Sequence, residues 1–376
     1  MSGELEFTTR RFQLDALAGW ALPVVPGNAT LLVNSCFQVT VGPGLLRLAA
    51  TDRRRTVLAV TSAVDTGSEG TVFIPAKKLT AMLSAAPEGD VTVSVKANLA
   101  TVTAGTACWQ LKLPDPTGYA GLPDLDGAEF APVSREALLG ALQTVRHAVG
   151  KDGRPAFAQV RIAESGGVMC ATACGASLLA RAPVPGFPFP VSVPALVLGD
   201  LVKLLAGISD KEVDVADAAT CVAFRAGPVT LAAQHTGTEF PDVDELFLRQ
   251  VRGNDQVLEV DKTALTQALR RARINADPST SAVGLIADGE TLTVVARDVG
   301  GNSAEEPVPA VWGREQRLLV VNGGFLESML AVHPPASCVF RVAQDRGKQR
   351  APLLLEDTES GVTGVCVQMP ASQVGY

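Results

Sequence analysis

The residues of this chain best placed to act on another molecule are paired cations. Arg10-Arg11, Lys77-Lys78 and Arg270-Arg271-x-Arg273 each fall within an amphipathic run. Cations presented this way hold phosphates by charge, and such contacts read no base sequence. The residues that usually make and break bonds are scattered. The histidines are His147, His235 and His333, and none stands in a metal-ligand pair or a nucleophile motif. The cysteines (Cys36, Cys108, Cys170, Cys174, Cys221, Cys338 and Cys366) are odd in number and include no C-x-x-C. Most lie in apolar, strand-like runs, where a thiol serves as a small buried hydrophobe. Cys170 and Cys174 are spaced temptingly for zinc, but no histidine lies near them in sequence. Asp115, Asp124, Asp126 and Asp242 sit in Pro-rich loops, where aspartate commonly forms turns. Neither a G-x-x-x-x-G-K-[ST] phosphate loop nor a G-x-S-x-G elbow occurs. The expectation is a binding protein and not an enzyme, with no catalytic residues, no metal and no cofactor.

The elements that carry these cations recur with a period of about 125 residues, a length typical of one domain. An amphipathic helix opens each unit. Helical spacing predicts these helices over 8–22 (Phe12, Leu14, Leu17 and Trp20 apolar), over 134–149 and over 261–273, the last two with Ser134 and Asp261 as N-caps. Each unit then has a strand ending in a small polar corner: Leu48-Ala49-Ala50-Thr51-Asp52, Cys170-Ala171-Thr172-Ala173 and Val294-Val295-Ala296-Arg297-Asp298. A second helix follows, over 75–86, 194–207 and 322–333, with alternating strands around it. Gly, Pro, Asn and Asp gather near 126–132 and 250–255, marking the joints. The fold class expected is α+β, as three tandem copies of a module with two helices on antiparallel sheet. The modules span 1–127, 128–253 and 254–376.

Of the 376 residues 47% are hydrophobic and 19% charged, a core-forming composition. No apolar run reaches the length of a membrane span, and the acidic start lacks a signal-peptide pattern, so a cytoplasmic location is expected. The net charge of −7 hides a division, because the six predicted helices carry +6 and everything else −13. If the helices face a common centre, they offer phosphates a weak positive field blind to sequence. Helical Lys and Arg are also good helix formers, which accounts for part of this bias.

With the order and spacing of these motifs, the chain resembles the β sliding clamp of bacterial DNA polymerase III. The likeness rests on Leu48 to Asp52, Ile74-Pro75-Ala76-Lys77-Lys78-Leu79 and Tyr119-Ala120-Gly121-Leu122-Pro123 in the first module. It continues through Glu239-Phe240-Pro241-Asp242 in the second and Asn322-x-x-Phe325-Leu326 and Val365-x-Val367-x-Met369-Pro370 in the third. The resemblance implies a head-to-tail homodimer whose six domains close a ring, helices inside, around double-stranded DNA of any sequence. It implies that polymerase III catalytic subunit, clamp loader and other proteins dock through short peptide tails.

The DNA-contact candidates are Arg10, Arg11, Lys77, Lys78, Arg146, Lys151, Arg154, Lys203, Arg270, Arg271 and Arg273. The implied peptide pocket matches Phe157, Thr172, Leu178, Pro241, Leu246, Asn322, Phe325, Pro352, Val367, Met369 and Pro370, although Phe157 and Val367 also suit a purely core role. The implied dimer contact sets Trp109 against the Ile274 region of a second copy, while an ordinary core aromatic is the other reading of Trp109. Two departures bear on the pocket. The family's Thr-Asp-Gly-His-Arg-Leu reads here Thr172-Ala173-Cys174-Gly175-Ala176-Ser177-Leu178, and its Met-Pro-Met-Arg ending reads Met369-Pro370-Ala371-Ser372 with a tail to Tyr376. A changed peptide preference is therefore expected. The alternative reading is a clamp-like ring repurposed as a decoy, resistance paralogue or scaffold.

Overall fold

The computed structural model describes residues 5–62, 64–249, 251–252, 256–343 and 351–375. The repeat seen in the sequence is a repeat of elements. Helices α1 (Arg11–Ala21), α3 (Arg135–Val145) and α5 (Lys262–Ala272) are each 11 residues long and each ends in a 3-10 turn. Each has a second helix downstream: α2 (Ala76–Ala85), α4 (Ala195–Gly207) and α6 (Gly323–Val332).

Local chemistry explains where several of these helices begin. The Asp261 carboxylate accepts the Ala264 N–H at 2.7 Å and the Asn322 side chain accepts that of Phe325 at 3.0 Å, satisfying donors that a first turn leaves free. Two expectations for the first helix need correction. It starts at Arg11, because Leu5–Arg10 is a strand whose Leu5, Phe7 and Thr9 alternate into the core and whose Phe7 pairs with Val93. Phe12 is 61% exposed; the buried stripe is Leu14, Leu17, Ala18 and Ala21, with Trp20 half-buried. The third helix of that kind is also shorter than expected, since Arg273 already belongs to the 3-10 turn Arg273–Asn275.

The chain divides into two compact units, neither of them one continuous stretch. The first gathers described residues of 1–135 and 199–235, the second those of 136–198 and 236–376. In the first unit, an antiparallel sheet runs Ala131–Ser134, Glu212–Asp217, Cys221–Ala226, Val229–Gln234, Arg55–Thr61, Leu45–Thr51, Cys36–Gly42 and Gly70–Pro75. A smaller sheet runs Val64–Thr66, Leu5–Arg10, Asp90–Lys96, Leu99–Ala104 and Ala107–Lys112. Helix α1 lies on Leu45–Thr51 and Arg55–Thr61 and beside α2, and between these layers sit Leu14, Leu17, Leu48, Leu79 and Leu83.

In the second unit one sheet runs Val191–Pro194, Gln159–Ser165, Val168–Cys174, Leu178–Pro183, Thr363–Val367 and Pro352–Glu356. It continues through Ser337–Val342, Val257–Asp261, Ser303–Trp312, Thr291–Arg297, Ala282–Asp288 and Arg317–Asn322. Helices α5 and α6 pack together here, with Leu265, Leu269, Val294, Leu326 and Phe340 fully buried about them. Strand pairing thus joins residues on either side of both expected module joints. The joint at 253/254 lies outside the described residues.

Candidate functional site

The cations fall into two groups. On α2, Ala76, Leu79 and Leu83 are buried, which leaves Lys77 and Lys78 exposed. Arg146, at the end of its helix, and Lys151, in the loop that follows, are exposed too. Lys203 on α4 is exposed, with its ammonium 5.7 Å from the Trp20 ring centroid, a cation–π distance. Among the described residues none of these five lies in an ion pair.

The others are engaged within their own unit. Arg10 pairs with Asp90 at 3.2 Å. Arg11 is drawn against the protein, donating to the Leu83 carbonyl at 3.2 Å and to Glu88. Arg154 bonds Asp152 and stacks over Phe157 at 4.3 Å. Arg270 and Arg273 share Glu327, and Arg271 holds Glu306 through Nε at 2.8 Å. The hydrogen bond from Arg270, with the positive charge of Arg273, holds the Glu327 carboxyl below its usual range; the bond from Arg271 does the same for Glu306. The strongest positive run in the sequence therefore carries its own counter-charges, because carboxylates from distant strands and helices fold onto it.

The pocket candidates all belong to the second unit, and the structure sorts them. Leu178, buried at the start of its strand, and Phe325, 39% exposed on the first turn of α6, line one cavity of about 350 Å3. Phe157 and Val367 pack on a neighbouring buried cluster that includes Cys174, Leu179, Phe247 and Val365. Pro352 sits opposite Val367 in the ladder. Thr172 is buried, its hydroxyl accepting from Arg181 Nε at 3.1 Å; the same guanidinium donates to Ser165 at 2.7 Å and to Asp244 at 3.2 and 3.3 Å. Asn322 is spent on capping α6 and on the Thr280 carbonyl. Leu246 and Pro370 are exposed, and Pro241 is half-buried. Met369 packs instead with Ala282, Val320 and Val374, where the turn Ala371–Val374 buries Val374.

Sequence reasoning missed several residues of the cavity. His147 lines it; its Nδ1 lies 2.8 Å from the Thr144 carbonyl, and burial holds its pKa below the usual value, so the ring is neutral at physiological pH. Gly150 and Gly175 line it as well. A Cβ on Gly150 would lie 2.5 Å from Phe157 Cβ, and one on Gly175 3.5 Å from Gly150 Cα. Two bare backbones let the loops meet, and the Gly150 N–H donates to the Phe157 carbonyl at 3.0 Å. The signal was present in Gly150-Lys151-Asp152-Gly153, but a loop glycine does not name its neighbour. Gly150→Val should displace Phe157, at a cost of about 1–3 kcal/mol, and narrow the cavity; a lowered Tm with unchanged secondary structure would show it.

Of the dimer candidates, Trp109 is not a core residue. It lies half-exposed on Ala107–Lys112, the outermost strand of the smaller sheet. Ile274 is 81% exposed in the turn after α5. Six of the seven cysteines are buried, and desolvation pushes Cys36 and Cys338 up to about 11 and Cys174 and Cys366 up to about 12, so these thiols stay protonated; Cys108 is exposed. No helix among the described residues is long and apolar enough to cross a membrane.

No family model matches the chain. Among curated proteins it is 27% identical over 308 residues to the beta sliding clamp of Synechococcus elongatus, covering 78% of this chain and 80% of that one. It is 24% identical over 302 residues to the beta sliding clamp of a Synechocystis species, covering 72% and 75%. Among solved structures, the Caulobacter crescentus beta sliding clamp, with polyethylene glycol in a putative beta-motif tethering region, superposes with a TM-score of 0.87 at 22% identity, over 99% of this chain and 100% of that one. A sliding clamp from Bartonella birtlesii bound to griselimycin gives 0.87 at 21% identity, over 98% and 100%. The chain is thus similar in sequence, over most of its length, to curated beta sliding clamps, and it shares over nearly all of its length the fold of solved sliding clamps.

Proposed function

We propose that this chain is a DNA sliding clamp, a non-catalytic processivity factor of three clamp domains (1–127, 128–253 and 254–376). Two copies close head to tail, the Trp109 edge of one meeting the Ile274 turn of the other, and encircle duplex DNA. The likeness to curated beta sliding clamps along most of the chain carries this reading. The free cations give it a physical basis. Lys77, Lys78, Arg146, Lys151 and Lys203 supply unpaired charge for phosphates, whereas Arg10, Arg11, Arg154, Arg270, Arg271 and Arg273 can contribute only by exchanging a carboxylate for a phosphate. Weak backbone attraction without base contacts permits movement along the duplex. Replicative polymerase, loader and other partners dock by peptide tails at Leu178, Phe325 and the residues around them, an apolar cavity with few polar groups. Ala176 and Ser177 line that cavity, and Lys151 and Asp152 add one charge of each sign.

Light scattering across a dilution series tests closure: a mass near twice 39.1 kDa supports the ring, and a monomer at every concentration sinks it. Retention on circular against linearised plasmid tests encirclement. Lys77→Glu with Lys78→Glu should shorten retention on circular DNA and lower the slope of log affinity against log salt by about 0.9 for each phosphate no longer neutralised. An unchanged slope would place these lysines away from DNA.

A further inference from the structure

The two units contain the same junction twice. In the second, the hairpin Val168–Cys174 with Leu178–Pro183 joins Thr363–Val367, which pairs in turn with Pro352–Glu356. In the first, the hairpin Leu45–Thr51 with Arg55–Thr61 joins Val229–Gln234, which pairs in turn with Cys221–Ala226. By ladder register Thr51, opposite Thr56, matches Cys174, opposite Leu179, and Leu122-Pro123-Asp124 repeats Phe240-Pro241-Asp242.

At the first-unit junction lies a groove of about 500 Å3, whose walls include Thr51, Arg53, Arg54, Pro123, Thr220 and Gln234. No helix residue lines it. Its lining mixes apolar residues (Leu122, Pro123, Cys221, Ala232) with polar ones, and the hairpin turn supplies its positive charge. Arg53 holds a left-handed backbone, φ 75°, a conformation usually left to glycine. The turn is fixed by the Thr51 hydroxyl, which accepts the Arg53 N–H at 3.1 Å, and by Asp52, which accepts the N–H groups of Arg54 and Arg55 at 3.0 and 2.8 Å. The second Asp52 oxygen takes Arg55 Nε at 2.8 Å. Asp124, an acid that also lines the groove, accepts the Asp126 N–H at 2.9 Å. The exposed guanidiniums of Arg53 and Arg54 therefore have no carboxylate partner among the described residues.

We propose that this groove docks a carboxylate-rich extended peptide segment of a partner protein. Two free guanidiniums match carboxylates through paired hydrogen bonds, and a strand presents alternate side chains to one wall. Duplex DNA fits less well, because the lining is strand ends and a connector and includes no helix residue. The proposal borrows from the functional reading above only the idea that partners dock by peptide segments.

The test uses the full-length protein and a fluorescein-labelled decapeptide of alternating Glu and Val, with a Lys-for-Glu version as control, followed by anisotropy. The wild type should bind the Glu peptide and not the Lys peptide. R53E/R54E should weaken the Glu peptide at least 10-fold, while Phe325→Ala leaves it unchanged. R53G separates binding from folding, since it relieves the left-handed backbone; Tm should hold or rise while affinity falls. Equal binding of both peptides, or of the Glu peptide by wild type and R53E/R54E, would overturn the proposal. So would R53E/R54E acting only on retention on circular plasmid. Failure of the tail reading would register separately, as indifference of an apolar tail peptide to Phe325→Ala.

Discussion

Ile274→Asp is expected to convert the dimer to a monomer at micromolar protein. On its own chain Ile274 is 81% exposed, so the change should leave each subunit's stability within about 0.5 kcal/mol. In the ring proposed above the same side chain is covered by a second copy. A carboxylate there is buried without a partner and the apolar packing disappears, each costing about 2 kcal/mol or more. The dimer Kd should rise at least about 100-fold, and a head-to-tail ring carries this lesion at both interfaces. Light scattering by dilution, with Tm measured on the same samples, checks it. An unaltered mass would place Ile274 outside the subunit interface.

Phe340→Ala should give the largest loss of stability, about 3–5 kcal/mol in the second unit. Phe340 is 1% exposed and stands between Leu258 and Leu355 in the ladder, within the cluster that α5 and α6 cover. Trp312 reports on this unit. It is 3% exposed and its indole N–H donates to the Glu315 carbonyl at 2.7 Å, whereas Trp20 and Trp109 belong to the first unit. In a Trp20→Phe, Trp109→Phe background, the urea midpoint read from Trp312 should fall by more than about 1 M. Phe12→Ala, at an exposed aromatic, should move it little.

What the sequence made legible was what short stretches of chain decide. Asp261 and Asn322 announce helix starts because a cap acts on the N–H three residues ahead. The strand corners and paired helices recur because each module solves the same local problem. Charge was harder to read. Arg270 and Arg271 count as free cations in a sum over a helix, yet their carboxylates lie 57 and 35 residues away, and only folding makes them neighbours. Phe12 shows a similar limit: the preceding residues can form a strand or a helix turn, and pairing with Asp90–Lys96 decides it. Leu178 and Phe325, 147 residues apart, line one cavity, while Met369 packs with Val374, a residue whose burial depends on strands far back in the chain.

The interleaving of the two units has a consequence for how the chain is born. Arg55–Thr61 closes its ladder against Val229–Gln234, so the central hydrogen bonds of the first unit join segments about 170 residues apart. A ribosome must deliver residue 234 before that sheet can be finished, although its first strand emerged long before. Until then Arg55–Thr61 offers an open β edge of the kind that invites pairing with a wrong strand. Synthesis is thus the period in which this chain most needs protection from its neighbours, and a pause in translation before residue 229 would prolong that exposure.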